Sequence, residues 1–359
     1  GQGDWTRQGG SDAELAAAGL PLSFVTQNAG KKSVTLDLKS AHGLAILKQL
    51  VEGADVFIEN FRPGTAAKLG IAYEDLAAVN PRLVYGSLSA YGQDGPIGHR
   101  PAYDHVVQAM SGVMETTGTE ETGPIKVGAP YVDYAAGQKG AMATMAAIME
   151  QRRTGEPQRV DNAMLDTTLL LMANTLTATA NTGKRPAKLG NDAASGAASS
   201  GCYETADGLL AVAANNDRQF GDLCRAIGRP ELGDDPRFVD TPTRQSTAEE
   251  FRTILREILP TKAAADWESV LDERGVPAAR VRSMDELLAE GQPHARGLLT
   301  EVQVAGQQVE LPTMGFKVNG QVPGPSEPPH RLGADNEEML RAIGYDDEAI
   351  ARLVEQGAI

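Results

Sequence analysis

Cysteine is scarce. Cys202 and Cys224 are the only two in 359 residues, and neither has a neighbour at metal-ligand or disulfide-framework spacing. Two free thiols in a reducing cytoplasm is the reading that follows. Histidines are few and scattered (His42, His99, His105, His294 and His330), and none has the spacing of a zinc site, so no metal is expected. No run approaches the ~18 apolar residues of a membrane span, and no secretory signal opens the sequence. Basic side chains are outnumbered, 33 against 48 acidic, for a net charge of −15. That balance argues against general binding to DNA, RNA or an anionic membrane. Glycine-rich phosphate loops are also missing. No G-x-G-x-x-G follows a strand and no G-x-x-x-x-G-K-[ST] occurs, so dinucleotide and P-loop readings lose support.

What remains is a chain long enough for two domains, with an ordinary 41% of hydrophobic residues. "SVTLDL" (33–38), "DVFIEN" (55–60) and "LVYGSLSAYG" (83–92) read as short buried strands. Ser40 is placed to cap a helix carrying Leu44, Leu47, Leu50 and Val51, and a second helix near 73–80 stops at Asn80-Pro81. Strand–helix alternation of this kind predicts a parallel sheet in an α/β domain, whose ligands bind at the carboxyl ends of the strands. Helices are expected at 103–115, 133–153 and 160–181. The segment 181–201, rich in Gly, Ala and Ser, reads as a mobile loop or domain boundary. Beyond it, 201–214 reads as a hairpin around Asp207-Gly208 with positive φ. Helices near 216–228, 247–258, 263–274 and 284–290 complete a smaller α+β domain. A hairpin at 298–312 turns at Ala305-Gly306, and two short helices follow. Asp335 and Glu338 have the spacing of a capping box for the first of these.

Two stretches carry chemistry. In "IENFRPG" (58–64), Pro63 suits the first turn of a helix, whose free N–H groups would face the ligand edge. Lys31, Lys32, Lys39, Arg62 and Lys68 gather near the first strand ends of an otherwise acidic chain, which suits a phosphate-bearing ligand. In "VGAPYVDYAAG" (127–137), Asp133 stands at the start of a small-residue helix. There the backbone N–H groups and the helix dipole would hold it ionised. Local sequence is compatible with an N-cap and with a carboxylate nucleophile forming an acyl intermediate. Asp104 and His105, opening the helix at 103, fit a capping role better than acid–base chemistry. Asp161 and Asp166 fit a helix start and a buried hydrogen-bond partner.

The succession "SVTLDLKS", "ADVFIENFRPG", "KLGIAYEDLAAVNPRLVYGSLSAYGQDGP", "YDHVVQAMSG", "VGAPYVDYAAG", "RRTGEPQRVDNAMLD", "GVPAARV" and "PPHRLG" resembles the class III CoA-transferases. Formyl-CoA transferase, crotonobetainyl-CoA:carnitine CoA-transferase and acyl-CoA racemases belong to that group. The likeness runs in order over nearly the whole chain. It implies that Asp133 is the nucleophile, passing through an aspartyl mixed anhydride and an aspartyl-CoA thioester. It implies CoA binding by Leu36, Lys39, Asn60, Phe61, Lys68 and Leu69. Arg62, from the basic cluster, and Arg100 are counted with these CoA-binding residues, and Arg100 is also a candidate cation for a carboxylated acceptor. It also implies an active-site loop around Gly190, Ser195, Gly196 and Gly201 that closes over the intermediate.

Expected from the same likeness is a Rossmann-like large domain, 1–187 completed by 299–359. A linker and loop at 188–200 and a small domain at 201–296 make up the rest, in an interlocked homodimer. Coenzyme A and acyl-CoA are implied as substrates rather than permanent cofactors, with a free carboxylic acid as acceptor. Relatives carry a further strand and helix ahead of the counterpart of "GDWTR" (3–7), and part of the CoA site is expected there. Racemase relatives have histidine immediately before the counterpart of Asp104, where this chain has Tyr103. A 2-acyl-CoA racemase is therefore the weaker alternative to a transferase. A silent acyl-CoA binding protein is the other.

Overall fold

The computed structural model describes residues 3–359. Gly1 and Gln2, the start of the large domain expected above, lie outside it. The chain forms two compact units. The first comprises Gly1–Met110, Ala129–Met172 and Leu288–Ile359, and the second Ser111–Gly128 and Ala173–Leu287.

The first unit is built on a three-stranded parallel sheet of β1 (Val56–Glu59), β2 (Val84–Ser89) and β3 (Gln158–Ala163), in that order. Val56 is level with Val84, and Val84 with Gln158. Helix α1 (Ala41–Glu52) precedes β1, and the Ser40 hydroxyl accepts from the Gly43 N–H at 2.9 Å as the cap. At the other end of α1, the Asn80 amide donates to Val51 O and Ala54 O, at 2.9 and 2.8 Å. That pair of bonds fixes the turn into β1. Val51, Ile71, Leu76, Leu83 and Tyr85 form the core beneath, each worth about 1.5–3 kcal/mol for full burial. Burial pushes the Tyr85 phenol up to about 12, and its hydroxyl donates to Ile71 O at 3.0 Å.

Helix α2 (Thr65–Lys68) follows β1. Further along lie α3 (Asp104–Ser111) and the 24-residue α4 (Tyr131–Thr154), and α5 (Met164–Leu171) follows β3. A hairpin, Leu299–Val304 with Gln307–Pro312, turns at Ala305 and Gly306, both with positive φ. Its Val302, Val304, Val309 and Leu311 pack on Leu15, Leu20, Phe24 and Val25.

The second unit carries the antiparallel sheet β4 (Ser200–Glu204), β5 (Leu209–Ala213) and β6 (Ala278–Arg280). Helices Asp217–Ala226, Ala248–Ile258 and Ala264–Asp272 close its core around Phe220, Phe238, Phe251 and Trp267. The Gly- and Ser-rich segment belongs to this unit. Leu189 and Gly190 donate to Thr116 O and Gly118 O, and Ser199 and Ser200 are buried.

Several local expectations are corrected. Residues 33–37 join no sheet, and Leu38 stands in a turn. Ser33 N–H donates to the Asp335 carboxylate at 2.6 Å, Thr35 N–H to Asn336 Oδ1 at 2.8 Å, and Asp37 N–H to Ala358 O at 2.9 Å. The third sheet strand is instead 158–163, overlapping the start of the helix expected at 160–181; its Val160 and Asn162 are buried while Arg159 and Asp161 are exposed. The helix expected at 103–115 is interrupted by Gly112, at φ 85°. Pro63 lies ahead of the N-cap Gly64 (φ 83°) rather than in the first turn of α2. At Asp207-Gly208 neither residue has positive φ. Asp335 and Glu338 form no capping box. The Asp335 carboxylate faces Ser33 and His330, and Glu338 pairs with Lys32.

Candidate active site

Parallel strands end at one edge, and α4 brings its N-terminus to that edge. The helix runs antiparallel to the sheet. Asn162 Nδ2 donates to Ala136 O at 2.9 Å, and a Cβ on Gly140 would sit 3.2 Å from Leu88 Cδ2 and 3.3 Å from Asn162 Nδ2. Small residues at Ala136 and Gly140 are therefore what let the helix lie close over β2 and β3. One turn earlier, beyond the strand ends, stands Asp133.

Its surroundings differ from those expected. The terminal N–H groups of α4 do not hold its carboxylate. Val132 N–H and Asp133 N–H instead donate to Asp104 Oδ2, at 2.8 and 3.2 Å. The Asp133 side chain opens to solvent, and its carboxylate accepts no hydrogen bond among the described residues. Partial desolvation and then the charge of Asp104 raise its carboxyl above the usual aspartate range. A raised pKa means a more basic carboxylate, which suits nucleophilic attack once ionised. The Tyr131 phenol is raised by the same two causes, and its buried hydroxyl has no partner among the described residues.

The strand ends supply the rest of the edge. After β1, Asn60 Nδ2 donates to Leu88 O at 2.7 Å, tying that turn to β2, and Phe61 N–H donates to Glu59 Oε2 at 2.7 Å. Phe61 is 40% exposed, so its ring is free to stack on a ligand. After β2, Gln93 N–H donates to Asp161 Oδ2 at 3.0 Å. Connectivity also brings Lys39 (just before α1), Arg62 and Lys68 (the last residue of α2) to this side of the sheet. Arg100 lies on the loop after β2. All four are exposed, and among the described residues none pairs with a carboxylate.

The remaining candidates lie elsewhere. Leu36 packs against Ile46, Leu340, Ile350 and Leu353 and lines a cavity of about 660 Å³ with Arg7, Phe24, Lys31 and His330. That cavity does not include Asp133. Leu69 joins the core under β2. Gly190 (φ 52°) and Gly196 (φ 67°) take left-handed conformations, and a Cβ on Gly190 would meet Thr119 Cγ2 at 2.6 Å. Gly201 approaches Asn191 O, and Ser195 Oγ lies 3.3 Å from Asn215 Oδ1. These four belong to the second unit. Among the described residues no group of three His, Cys, Asp or Glu side chains could hold a metal, and no helix is long and apolar enough to cross a membrane.

The reach of Asp104 into α4 was not legible locally. Its buried position, 8% exposed, and the lack of any side-chain cap at Pro130 emerge only from the fold.

Comparison with known proteins adds the chemical context. A family model described as CoA-transferase family III matches residues 1–336. An acetyl-CoA:oxalate CoA-transferase of Acetobacter aceti is 36% identical, over 93% of this chain and 83% of its own. The succinyl-CoA:glutarate CoA-transferase of Homo sapiens is 31% identical, over 94% and 77%. A solved structure of a hypothetical protein from Mycobacterium tuberculosis superposes with a TM-score of 0.82 at 31% identity, covering 94% of this chain and 89% of that one.

Proposed function

Starting from a chain that belongs to CoA-transferase family III, we propose that Asp133 is its covalent nucleophile, carrying CoA from an acyl-CoA donor to a free carboxylic acid. The observation that carries this reading is the placement of Asp133. It is an accessible carboxylate of raised basicity, accepting no hydrogen bond among the described residues, at the carboxyl edge of a parallel sheet.

The ionised carboxylate attacks the donor carbonyl and expels CoA thiolate, leaving an aspartyl mixed anhydride. The thiolate then attacks the aspartyl carbonyl, giving the aspartyl-CoA thioester and the donor acid. The acceptor carboxylate attacks this thioester, and the returning thiolate takes the acceptor acyl group and frees Asp133. Each step exchanges one acyl bond for another, so no redox partner or metal is called for.

Lys39, Arg62 and Lys68 are assigned to the phosphates of CoA, where charge-assisted hydrogen bonds are strong. Asn60 is assigned to orienting the ligand, and the exposed Phe61 to stacking on the adenine. The first unit, which carries all of these residues, is assigned the nucleotide. A homodimer and a cytoplasmic setting complete the proposal. The acids in the relatives' names, oxalate and glutarate, put short dicarboxylates first among acceptors, with Arg100 as the cation for the second carboxylate.

Intact mass after incubation with a panel of acyl-CoAs, followed by hydroxylamine trapping, tests this. A mass increment at Asp133 in the wild type, lost in Asp133→Ala, is expected. CoA turnover by Asp133→Ala at the wild-type rate would end the proposal. Exchange of α-hydrogen for deuterium without CoA transfer would establish racemase chemistry instead.

A further inference from the structure

Helix α4 begins without a cap of its own. Pro130 occupies the N-cap position and offers no side-chain acceptor, so the first N–H groups of a 24-residue helix need a partner from elsewhere. Asp104, the first residue of α3, supplies it. Its Oδ2 accepts from Val132 N–H at 2.8 Å and from Asp133 N–H at 3.2 Å, and its Oδ1 accepts from Gln108 Nε2. Burial of Asp104 makes these bonds the outlet for a carboxylate that would otherwise be costly to desolvate.

We propose that Asp104 is a positioning residue of the transferase reaction, its carboxylate fixing the backbone of Asp133 and so the direction of the attacking carboxylate. The inference rests on reading Asp133 as the nucleophile. Three features distinguish this contact from an ordinary cap. The acceptor comes from 29 residues away in sequence, on a different helix. One of the two donors is the main-chain N–H of the nucleophile itself. The acceptor's charge also acts on that nucleophile, adding to its basicity. A carboxylate that attacks a carbonyl must approach in a narrow geometry, and an error of about 1 Å in such a group costs on the order of 10²-fold in rate. Without the acceptor, the first turn of α4 is free to fray, and Asp133 lies within that turn.

The test separates acceptance from folding and from charge. Asp104→Leu fills similar volume without accepting. Asp104→Asn keeps one oxygen to accept both N–H groups and turns its amide toward Gln108, whose own amide rotates to match. For Asp104→Leu we expect kcat to fall on the order of 10²-fold with the KM for acyl-CoA unchanged and the far-ultraviolet circular dichroism of a folded chain. For Asp104→Asn most of kcat returns. If Asp104→Leu does not fold, Asp104→Ser, too short to reach α4, takes its place with the same expected loss.

A folded variant lacking the acceptor that keeps wild-type kcat would overturn the inference. So would equal losses in Asp104→Asn and the variant that cannot accept, because charge rather than acceptance would then govern. A rise in KM with kcat intact would overturn it as well. The wild type is trapped with hydroxylamine in parallel. No adduct there refutes the nucleophile reading itself, whereas a wild-type adduct with no effect of the Asp104 variants refutes the positioning role alone.

Discussion

Gly43 lies in the first turn of α1, pressed against the backbone of Asp37. A methyl group on it would stand 2.2 Å from Asp37 O and 2.8 Å from the carbonyl carbon. Carbon–oxygen contacts begin near ~3.3 Å, so Gly43→Ala requires the two segments to separate by about 1 Å. Asp37 has little room to retreat. Its N–H is bonded to Ala358 O at 2.9 Å, and its carbonyl accepts from Ser40 N–H and Ser40 Oγ, each at 3.0 Å. Helix propensity alone favours alanine by about 1 kcal/mol. Overpacking against backbone costs about 1–3 kcal/mol, and the depth of this clash argues for the upper end. The net is a loss of about 2 kcal/mol, or roughly 3 °C in Tm for 359 residues at about 2.1 cal/mol/K per residue. Leu36 and Lys39 flank Asp37, so the same displacement should raise the KM for acyl-CoA while leaving kcat near wild type. Calorimetry and initial-rate kinetics on Gly43→Ala read both quantities. A higher Tm with an unchanged KM would show that propensity wins and that the close approach of α1 to Asp37 does not exist in solution.

Two further outcomes follow from the site. Because desolvation and Asp104 raise the Asp133 pKa, the nucleophilic carboxylate is lost on acidification at a pH above the ~3.9 of an ordinary aspartate. The acid limb of kcat/KM should therefore sit above that value, and a limb at or below it contradicts the electrostatics described. Lys39→Ala and Lys68→Ala should each raise the KM for acyl-CoA about 10-fold, some 1.4 kcal/mol, by an amount that shrinks as salt is added. A KM indifferent to both would remove these lysines from the phosphate site.

Where local physics decides an element, the sequence reveals it. Ser40 caps α1 as its hydroxyl and position require, and the helix expected at 133–153 spans Tyr131–Thr154. The alternating strand at 298–304 and its return also form the hairpin expected. Failures occur where the deciding partner is remote. "SVTLDL" has the β-branched pattern of a strand whether its N–H groups meet a sheet or, as here, Asp335, Asn336 and Ala358. The strand 158–163 is six residues running into the apolar "MLDTTLLL", so its period of two is swamped by the helix that follows. Asp335 has capping spacing, yet a partly buried contact with Ser33 outcompetes the local one. At the site, Asp133 is marked only by its motif. Nothing in the spacing of Asp104 and Val132 tells that one accepts from the other.

The clasp on residues 33–37 has a consequence for biosynthesis. Ser33 and Thr35 find their partners 302 and 301 residues later. At the ~5–20 residues per second of translation, these groups wait about 15–60 s for the other half of their hydrogen bonds. During that interval the sheet strands and α4 are already outside the ribosome, as is all of the second unit's continuous stretch 173–287. The stretch carrying Leu36 and leading into Lys39 is thus among the late parts of the molecule to take shape. Assembly of the ligand edge is timed by residues that never touch the chemistry.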